Sequence, residues 1–384
     1  MRKIPIAWLQ LSYQKVRFLT ASLGIAAAIT LMFLQLGLLG ALDESNIILH
    51  QNLRGDLVML SKETEALVIA KDFSRRRLNQ VLNFSEVQSV APLYFNQRNF
   101  KNVRQGRIRA IAIFGINPHQ SPLDFPTIDQ QIEQITTPDV VLFDQNSRPE
   151  YGTIAEDFAA GRESLVEVNE QRMKIGGIID FTGTSFGITG NLVMSDTTFL
   201  RLSPEKNAET IALGVIFLAD QINPEQTAQQ LQAQLPDDVN ILTIEQFIAK
   251  EKRYWQETTA VGFIFQMGVI VGFLIGMYIV YQILYTDISD HIPDYAILKA
   301  KGYQNNYFWG VLLQEALILS VSSYIPGYLL SIALYKIVGA GTGLPIFMTQ
   351  ERALIVLSLT LFMCLFSGFL VTRKLKDSDP ADLF

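Results

Sequence analysis

Four long apolar stretches dominate the pattern of hydrophobic and polar positions along the chain. They run from Phe18 to Leu42, from Val261 to Tyr285, from Tyr307 to Val338 and from Ala353 to Thr372. A helix needs about 20 residues to cross the hydrocarbon core of a bilayer, so each stretch is long enough to span it. The first is longer than the apolar core of a signal peptide, about 7 to 15 residues, so we expect it to be retained. The pattern predicts four transmembrane helices.

The positively charged flanks of these stretches predict the orientation of the chain. Residues 1–17 hold four basic groups and no acidic group, and Arg373, Lys374 and Lys376 follow the last stretch. Lys and Arg next to membrane helices stay on the cytoplasmic side, so both termini are predicted to be cytoplasmic. The predicted segments outside the helices are, in chain order, an amphipathic cytoplasmic helix at 1–17, a periplasmic domain at 43–257, a cytoplasmic loop at 286–306, a periplasmic turn at 339–352 and a cytoplasmic tail at 373–384.

The predicted periplasmic domain shows strand-like and helix-like runs in alternation. DLVMLS, FSRRRLNQVLN and VQSVAPLYF form one strand, helix and strand unit, and IALGVIFL, PEQTAQQLQAQLP and VNILTI form another. Two such units predict a ferredoxin-like α+β subdomain. Between them, residues 117–204 are rich in Gly, Pro and Thr with short strand-like runs, which predicts an inserted β-rich lobe. The predicted fold class is therefore membrane α-helical with a periplasmic α+β domain.

Composition and charge agree with residence in a membrane and narrow the class of partner. Hydrophobic residues make up 49% of the chain, whose mean hydropathy is +0.23 and whose net charge is −6. Acidic residues outnumber basic ones within 43–257. Nucleic-acid binding calls for a basic surface, so we expect none. The single cysteine, Cys364, lies in the fourth helix and leaves the periplasmic domain without a disulfide.

The sequence contains no catalytic or nucleotide-binding motif. No G-x-x-x-x-G-K-[ST] phosphate loop occurs, and no G-x-S-x-G motif of a nucleophilic serine. His50, His119 and His291 lack the spacing of a metal site, so we interpret each as a surface or structural residue. We therefore expect that the chain is not an enzyme and binds no cofactor or metal itself.

A ridge of glycines in the second helix is a packing signal. Gly268, Gly272 and Gly276 recur at every fourth residue, which exposes backbone on one side of the helix and lets another helix approach closely. The motif fits two interpretations equally. The ridge packs against another helix of the same subunit, or it forms the seam of a homodimer.

The predicted cytoplasmic loop contains a candidate amphipathic helix. It begins at Pro293, a favourable first-turn residue, and ends at Gly302, a favourable residue after a helix. Tyr295, Leu298 and Lys299 fall on one side of it. Such a helix either lies in the lipid interface or docks into a groove of a partner and receives the partner's motion.

The third helix carries two further features. Glu315 is an ionisable residue about two turns from the helix start, which makes it either a functional group or a side chain that reaches the interface. Pro326 and Gly327 predict a kink, because proline removes one hydrogen bond of the helix.

Several strings resemble a known family. The loop AILKAKGY, from Ala296 to Tyr303, resembles the coupling loop of the MacB/FtsX class of ABC transporter permeases. AWLQL, LMFLQLG, RRRL, PDVVLFD, SRPEYG, EKRYWQ, YQILYTDISDH, QEALIL and DPADLF resemble the DevC subfamily of cyanobacterial glycolipid exporters, over essentially the whole chain. The resemblance implies that the candidate helix is the ATPase-coupling helix, formed by Pro293, Asp294, Tyr295, Leu298, Lys299, Ala300, Gly302 and Tyr303.

The resemblance also implies an assembly in the inner membrane of a cyanobacterium. It would contain a homodimer of this permease with a MacB-like periplasmic domain, a DevA-like ATPase dimer that binds ATP and Mg, a DevB-like periplasmic adaptor and a TolC-like outer-membrane duct. The leading hypothesis is ATP-driven efflux of a glycolipid or another amphiphile by mechanotransmission. The alternative is an FtsX-like scaffold that regulates a periplasmic partner and moves no cargo.

Overall fold

A computed structural model describes residues 13, 15–104, 106–162, 164–181, 185–291, 297, 301 and 305–376. The chain divides into two compact units. The first, which we name the helical unit, consists of Met1–Ala41, Ala260–Thr342 and Ile346–Phe384. The second, which we name the sheet unit, consists of Leu42–Thr259 and Gly343–Pro345.

The secondary structure matches this division. The α-helices are, in chain order, α1 (Lys15–Gln51), α2 (Arg75–Gln80), α3 (Pro126–Asp129), α4 (Ile154–Ala159), α5 (Asp196–Leu202), α6 (Pro224–Gln234), α7 (Ile244–Arg253), α8 (Ala260–Asp290), α9 (Asn305–Thr342) and α10 (Gln350–Lys376). The strands are β1 (Leu57–Ser61), β2 (Phe73–Ser74), β3 (Val87–Asn102), β4 (Ile108–Ile116), β5 (Val140–Asp144), β6 (Leu165–Val168), β7 (Gln171–Ile179), β8 (Asn191–Ser195), β9 (Thr210–Ile211), β10 (Leu213–Leu218) and β11 (Val239–Thr243).

Four helices are long and apolar enough to cross a membrane: α1, α8, α9 and α10. They confirm the four apolar helices that the sequence predicts, and each extends beyond the predicted stretch at both ends. The largest difference is in α1, which continues past Leu42 to Gln51 as one helix. Polar residues such as Asp43 and Glu44 mark the end of the apolar stretch. They do not end the helix, because ordinary polar residues cost a helix less than about 1 kcal/mol each.

One half of the sheet unit is a four-stranded antiparallel sheet in the order β11-β1-β10-β3. Helix α2 lies between β1 and β3 in the chain, and α6 lies between β10 and β11. Helix α6 begins after an Asn223 side chain that accepts from the backbone N–H groups of Glu225 and Gln226, with Pro224 in its first turn.

The other half is a closed ring of six strands. Strand β3 pairs with β4, and the order continues through β8, β5, β7 and β6 until β6 pairs with β3 again. The ring therefore begins upstream of the lobe predicted at 117–204, because β4 and the second half of β3 belong to it. Strand β3 spans 16 residues and is shared by both halves, whereas the sequence run VQSVAPLYF suggested a strand that stops near Phe95.

Large apolar side chains cover both faces of the sheet. One cluster includes Tyr94 and Phe199, whose ring centroids are 5.5 Å apart, and the other includes Phe114 and Phe181 at 5.1 Å. Gly115 of β4 lies against Phe199, and a Cβ at that position would come within 2.6 Å of the Phe199 Cβ. This close approach allows Phe199 of α5 to pack directly against the backbone of β4.

Candidate functional site

The predicted coupling helix lies outside the described residues. This applies to all eight of its members, namely Pro293, Asp294, Tyr295, Leu298, Lys299, Ala300, Gly302 and Tyr303. Between α8 and α9, Ile297 is described as helical and exposed, and the Lys301 backbone N–H donates to the Ile297 carbonyl at 3.1 Å. The role of the coupling helix therefore stays a prediction from the resemblance.

The end of α8, where the chain enters this loop, is tied to the start of α1. Arg17 Nη1 lies 2.6 Å from Asp290 Oδ2, and both side chains are partly exposed. The His291 imidazole Nδ1 lies 2.9 Å from the Asp287 carbonyl oxygen. The Arg17–Asp290 ion pair joins the helix that leads into the loop to the first helix of the same unit, and the His291 contact lies within the end of α8 itself.

The glycine ridge of α8 packs against other helices of the same chain. A Cβ on Gly268 would clash with the Gln35 side chain of α1, and one on Gly272 would lie 3.0 Å from Met32 Cγ. A Cβ on Gly276 would clash with Met363 of α10. The geometry therefore shows the intrasubunit packing. The face of α8 that the chain leaves exposed is large and apolar, and it includes Phe263, Ile264, Met267, Ile270, Val271, Leu274, Ile275 and Tyr278.

Replacing Gly272 with leucine is expected to loosen the packing of α8 on α1 without changing the oligomeric state. Overpacking of this kind costs about 1–3 kcal/mol. We expect a lower thermal unfolding midpoint and an unchanged mass of the detergent-solubilised protein. Val271→Leu, on the exposed face, is the control. A lower mass together with an unchanged midpoint would instead place the ridge at a dimer seam.

Glu315 is fully buried inside the helical unit. Neither carboxylate oxygen has a hydrogen-bond partner among the described residues, and Asp287 of α8 lies close enough to act on it electrostatically. The side chain therefore does not extend to an interface as the snorkelling interpretation requires. Ionisable groups in membrane helices that face the interior of a bundle are functional candidates, so Glu315 keeps that status.

Pro326 and Gly327 lie at a tight contact between α9 and α1. Helix α9 runs unbroken through Pro326 from Asn305 to Thr342, so the predicted kink is not a break in the helix. A Cβ on Gly327 would lie 2.8 Å from Ile29 Cγ2 and 3.1 Å from the Ala26 carbonyl oxygen. The Thr30 hydroxyl donates to the Gly327 carbonyl at 3.3 Å. The pair therefore marks a close approach of two helix backbones.

The sheet unit contains a buried polar cluster that sequence reasoning missed. His50 at the end of α1 is fully buried, and its Nε2 lies 3.2 Å from Oε2 of Glu251, which is 3% exposed. The interpretation of His50 as structural fits this position, but Glu251 received no role. It lies in the run AKEKR, which reads as a solvated helix face. The available signal was Trp255 one turn later, an aromatic donor on the same side of the helix.

One family model and several solved structures are similar to parts of the chain. Residues 267–380 match the family FtsX-like permease C-terminal, and this segment includes most of α8 and all of α9 and α10. The comparison with curated proteins finds no match. Among the described residues, no group of three His, Cys, Asp or Glu side chains is placed to hold a metal ion.

Three solved structures are similar to the chain. The periplasmic region of MacB from Actinobacillus actinomycetemcomitans has 15% identity and a TM-score of 0.36, and the match covers 54% of this chain and 96% of that one. The extracellular domain of the ABC-type transporter YknZ from Gram-positive bacteria has 10% identity, a TM-score of 0.32 and coverages of 49% and 100%. A domain of a permease protein from Porphyromonas gingivalis has 10% identity, a TM-score of 0.30 and coverages of 50% and 89%.

Proposed function

We propose that the chain is the transmembrane permease subunit of an ABC-type transporter whose ATP is hydrolysed by a separate ATPase. The observation that supports this most directly is the FtsX-like permease match over residues 267–380. Four apolar helices and one large sheet unit fit the same role. The sequence contains no phosphate-binding loop, and in this proposal a separate ATPase supplies the energy.

The finer proposal is a DevC-type exporter that works by mechanotransmission. Its homodimer would associate with a DevA-like ATPase dimer, a DevB-like adaptor and a TolC-like duct in the inner membrane of a cyanobacterium, and its cargo would be a glycolipid or another amphiphile. The strings from AWLQL to DPADLF support this proposal. The antiparallel order β11-β1-β10-β3, with its two connecting helices, supports a ferredoxin-like assignment for that half of the sheet unit.

The alternative proposal is an FtsX-like scaffold that transmits ATPase motion to a periplasmic partner without moving cargo. Deletion of the gene separates the two. Accumulation of a lipid or another amphiphile in the cell supports the exporter. Lost activation of a periplasmic hydrolase, with no accumulation, supports the scaffold.

The coupling helix provides the direct test of ATPase partnership. Leu298→Asp is expected to abolish stimulation of the partner ATPase in reconstituted vesicles while membrane insertion stays intact, because a charge on the docking face cannot enter an apolar groove. Gln304→Asp, in the same loop but beyond the predicted helix, is the control and is expected to retain stimulation. Full stimulation by the Leu298 variant would refute the docking role.

A further inference from the structure

Glu251 joins three separate segments of the sheet unit. Its Oε2 accepts from His50 Nε2 of α1 at 3.2 Å and from the Leu67 backbone N–H at 3.0 Å. Its Oε1 accepts from the indole Nε1–H of Trp255 at 2.9 Å. Hydrogen bonds to a buried carboxylate are stronger than those between neutral groups, and a charge without partners would be costly there. We name Glu251, His50, Leu67 and Trp255 the Glu251 clamp.

A second contact ties the same two segments. The Gln256 side-chain amide donates to Asp43 Oδ2 at 2.6 Å. Asp43 and His50 are two helical turns apart on α1. Asp43 contacts Gln256 and His50 contacts Glu251, so the order of the contacts along α1 is the reverse of their order along the second segment. The imidazole ring of His50 also contacts the Phe247 ring, with centroids 4.1 Å apart and the two planes tilted by 40°. Two contacts, His50 with Glu251 and Asp43 with Gln256, therefore hold the end of α1 beside the end of α7 and the turn after it.

The chain leaves the clamp through an unusual piece of backbone. Residues Tyr254–Thr258 form a π-helical turn, and Thr259 is extended with φ −90° and ψ 145° before α8 begins at Ala260. Helix α1, by contrast, is unbroken from Lys15 to Gln51. Single π-turns occur often at functional sites. Between the clamp and α8, the backbone therefore departs from helical geometry at Thr259, four residues after Trp255.

We propose that the Glu251 clamp makes the end of α1 and the π-turn one rigid element, and that this element carries helix movement into the sheet unit during transport. The proposal rests on the proposed permease function, because it concerns how movement is used. Glu251 acts in it as a positioning residue that touches neither nucleotide nor cargo.

The clamp is tested first on the full chain in lipid nanodiscs without any partner. In Glu251→Gln, we expect amide hydrogen exchange to rise about tenfold at Leu67 and over residues 254–258, the size of effect that loss of a charge-assisted hydrogen bond gives. Amides of β4 are expected to stay unchanged. Glu245→Gln, an exposed position on the same helix, is the control. Unchanged exchange at Leu67 and the π-turn would overturn the proposal.

Coupling is tested next with the partner ATPase and cargo. Glu251→Gln is expected to retain ATPase stimulation and to lose export by about tenfold or more, since the loop that meets the ATPase is unaltered. Loss of both activities would overturn the proposal, because Glu251 would then serve the fold alone. A wild-type chain that neither stimulates an ATPase nor exports cargo would refute the proposed function instead, while the exchange experiment would still report on the clamp.

A covalent substitute for the clamp separates rigidity from other roles of the carboxylate. Asp43→Cys and Gln256→Cys are combined with Glu251→Gln and joined by oxidation or by a short cleavable cross-linker, with each single cysteine variant as a control. Cross-linking is expected to restore export to within about twofold of wild type, and cleavage to remove it again, because the two helix ends are held once more. Failure of cross-linking to restore export would overturn the proposal. Loss of export on cross-linking a chain with Glu251 intact would also overturn it, since the clamp would then have to open.

Discussion

Replacing Gly327 with alanine is expected to destabilise the helical unit by about 1–3 kcal/mol, the usual cost of overpacking. The added Cβ would lie 2.8 Å from Ile29 Cγ2 and 3.1 Å from the Ala26 carbonyl oxygen. A backbone oxygen cannot move aside like the end of a flexible side chain. Helices α1 and α9 would have to separate, and the bond from the Thr30 hydroxyl to the Gly327 carbonyl would weaken with them.

The matched control is the same substitution in the same helix at Gly310. Among the residues that the structure describes, no atom lies within 4 Å of a Cβ at that position, so alanine meets none of them. Alanine favours a helix over glycine by up to about 1 kcal/mol, and we expect Gly310→Ala to be neutral or slightly stabilising. Thermal unfolding of the full chain in detergent, followed by intrinsic fluorescence, measures both variants. Equal midpoints for the two would show that α9 does not pack on α1 through Gly327.

The helical unit shows what an apolar pattern can predict and where it stops. Length and hydropathy were sufficient for four helices, because the bilayer demands both of any spanning helix. The spacing of Gly268, Gly272 and Gly276 indicated a packing face, but the same spacing serves a partner within the chain or in a second copy. The positions of Met32 and Met363 show the contacts within the chain. Such contacts join residues that are far apart in sequence.

In the sheet unit, local elements were predictable from the sequence, but the pairing of distant strands was not. The two strand, helix and strand units were readable from local runs, and α2 and α6 lie where those runs predict them. The closed ring was not readable, because its closure depends on one pairing between β3 and β6, in which Phe100 lies opposite Val168. Glu251 was missed for a related reason. A single charged residue among other charged residues carries no local mark of burial.

Replacing Asp144 with alanine is expected to cause the largest loss of stability in the sheet unit, about 3–5 kcal/mol. Asp144 ends β5 and is fully buried. Its Oδ2 accepts from the Asn191 side-chain amide at 2.8 Å, and its Oδ1 accepts from the backbone N–H groups of Asn146 and Phe181 at 3.1 and 3.3 Å. Alanine removes the acceptor from all three donors at once, and the Asn191 side chain is itself fully buried.

Two further variants provide a control and an intermediate case for this prediction. Asp180→Ala removes a nearby exposed carboxylate and is expected to change stability by less than about 1 kcal/mol. The loss of stability in Asp144→Asn is expected to lie between those of the two alanine variants. One side-chain oxygen can still accept hydrogen bonds, but the new amide group faces the amide group of Asn191. Limited thermolysin digestion of the full chain at rising temperature measures the sheet unit separately. For a unit of this size, 3–5 kcal/mol corresponds to a midpoint about 6–20 °C lower. If Asp144→Ala and Asp180→Ala were cleaved at the same temperature, the β5–β8 contact would not depend on this carboxylate, and the ring would be held by its apolar core alone.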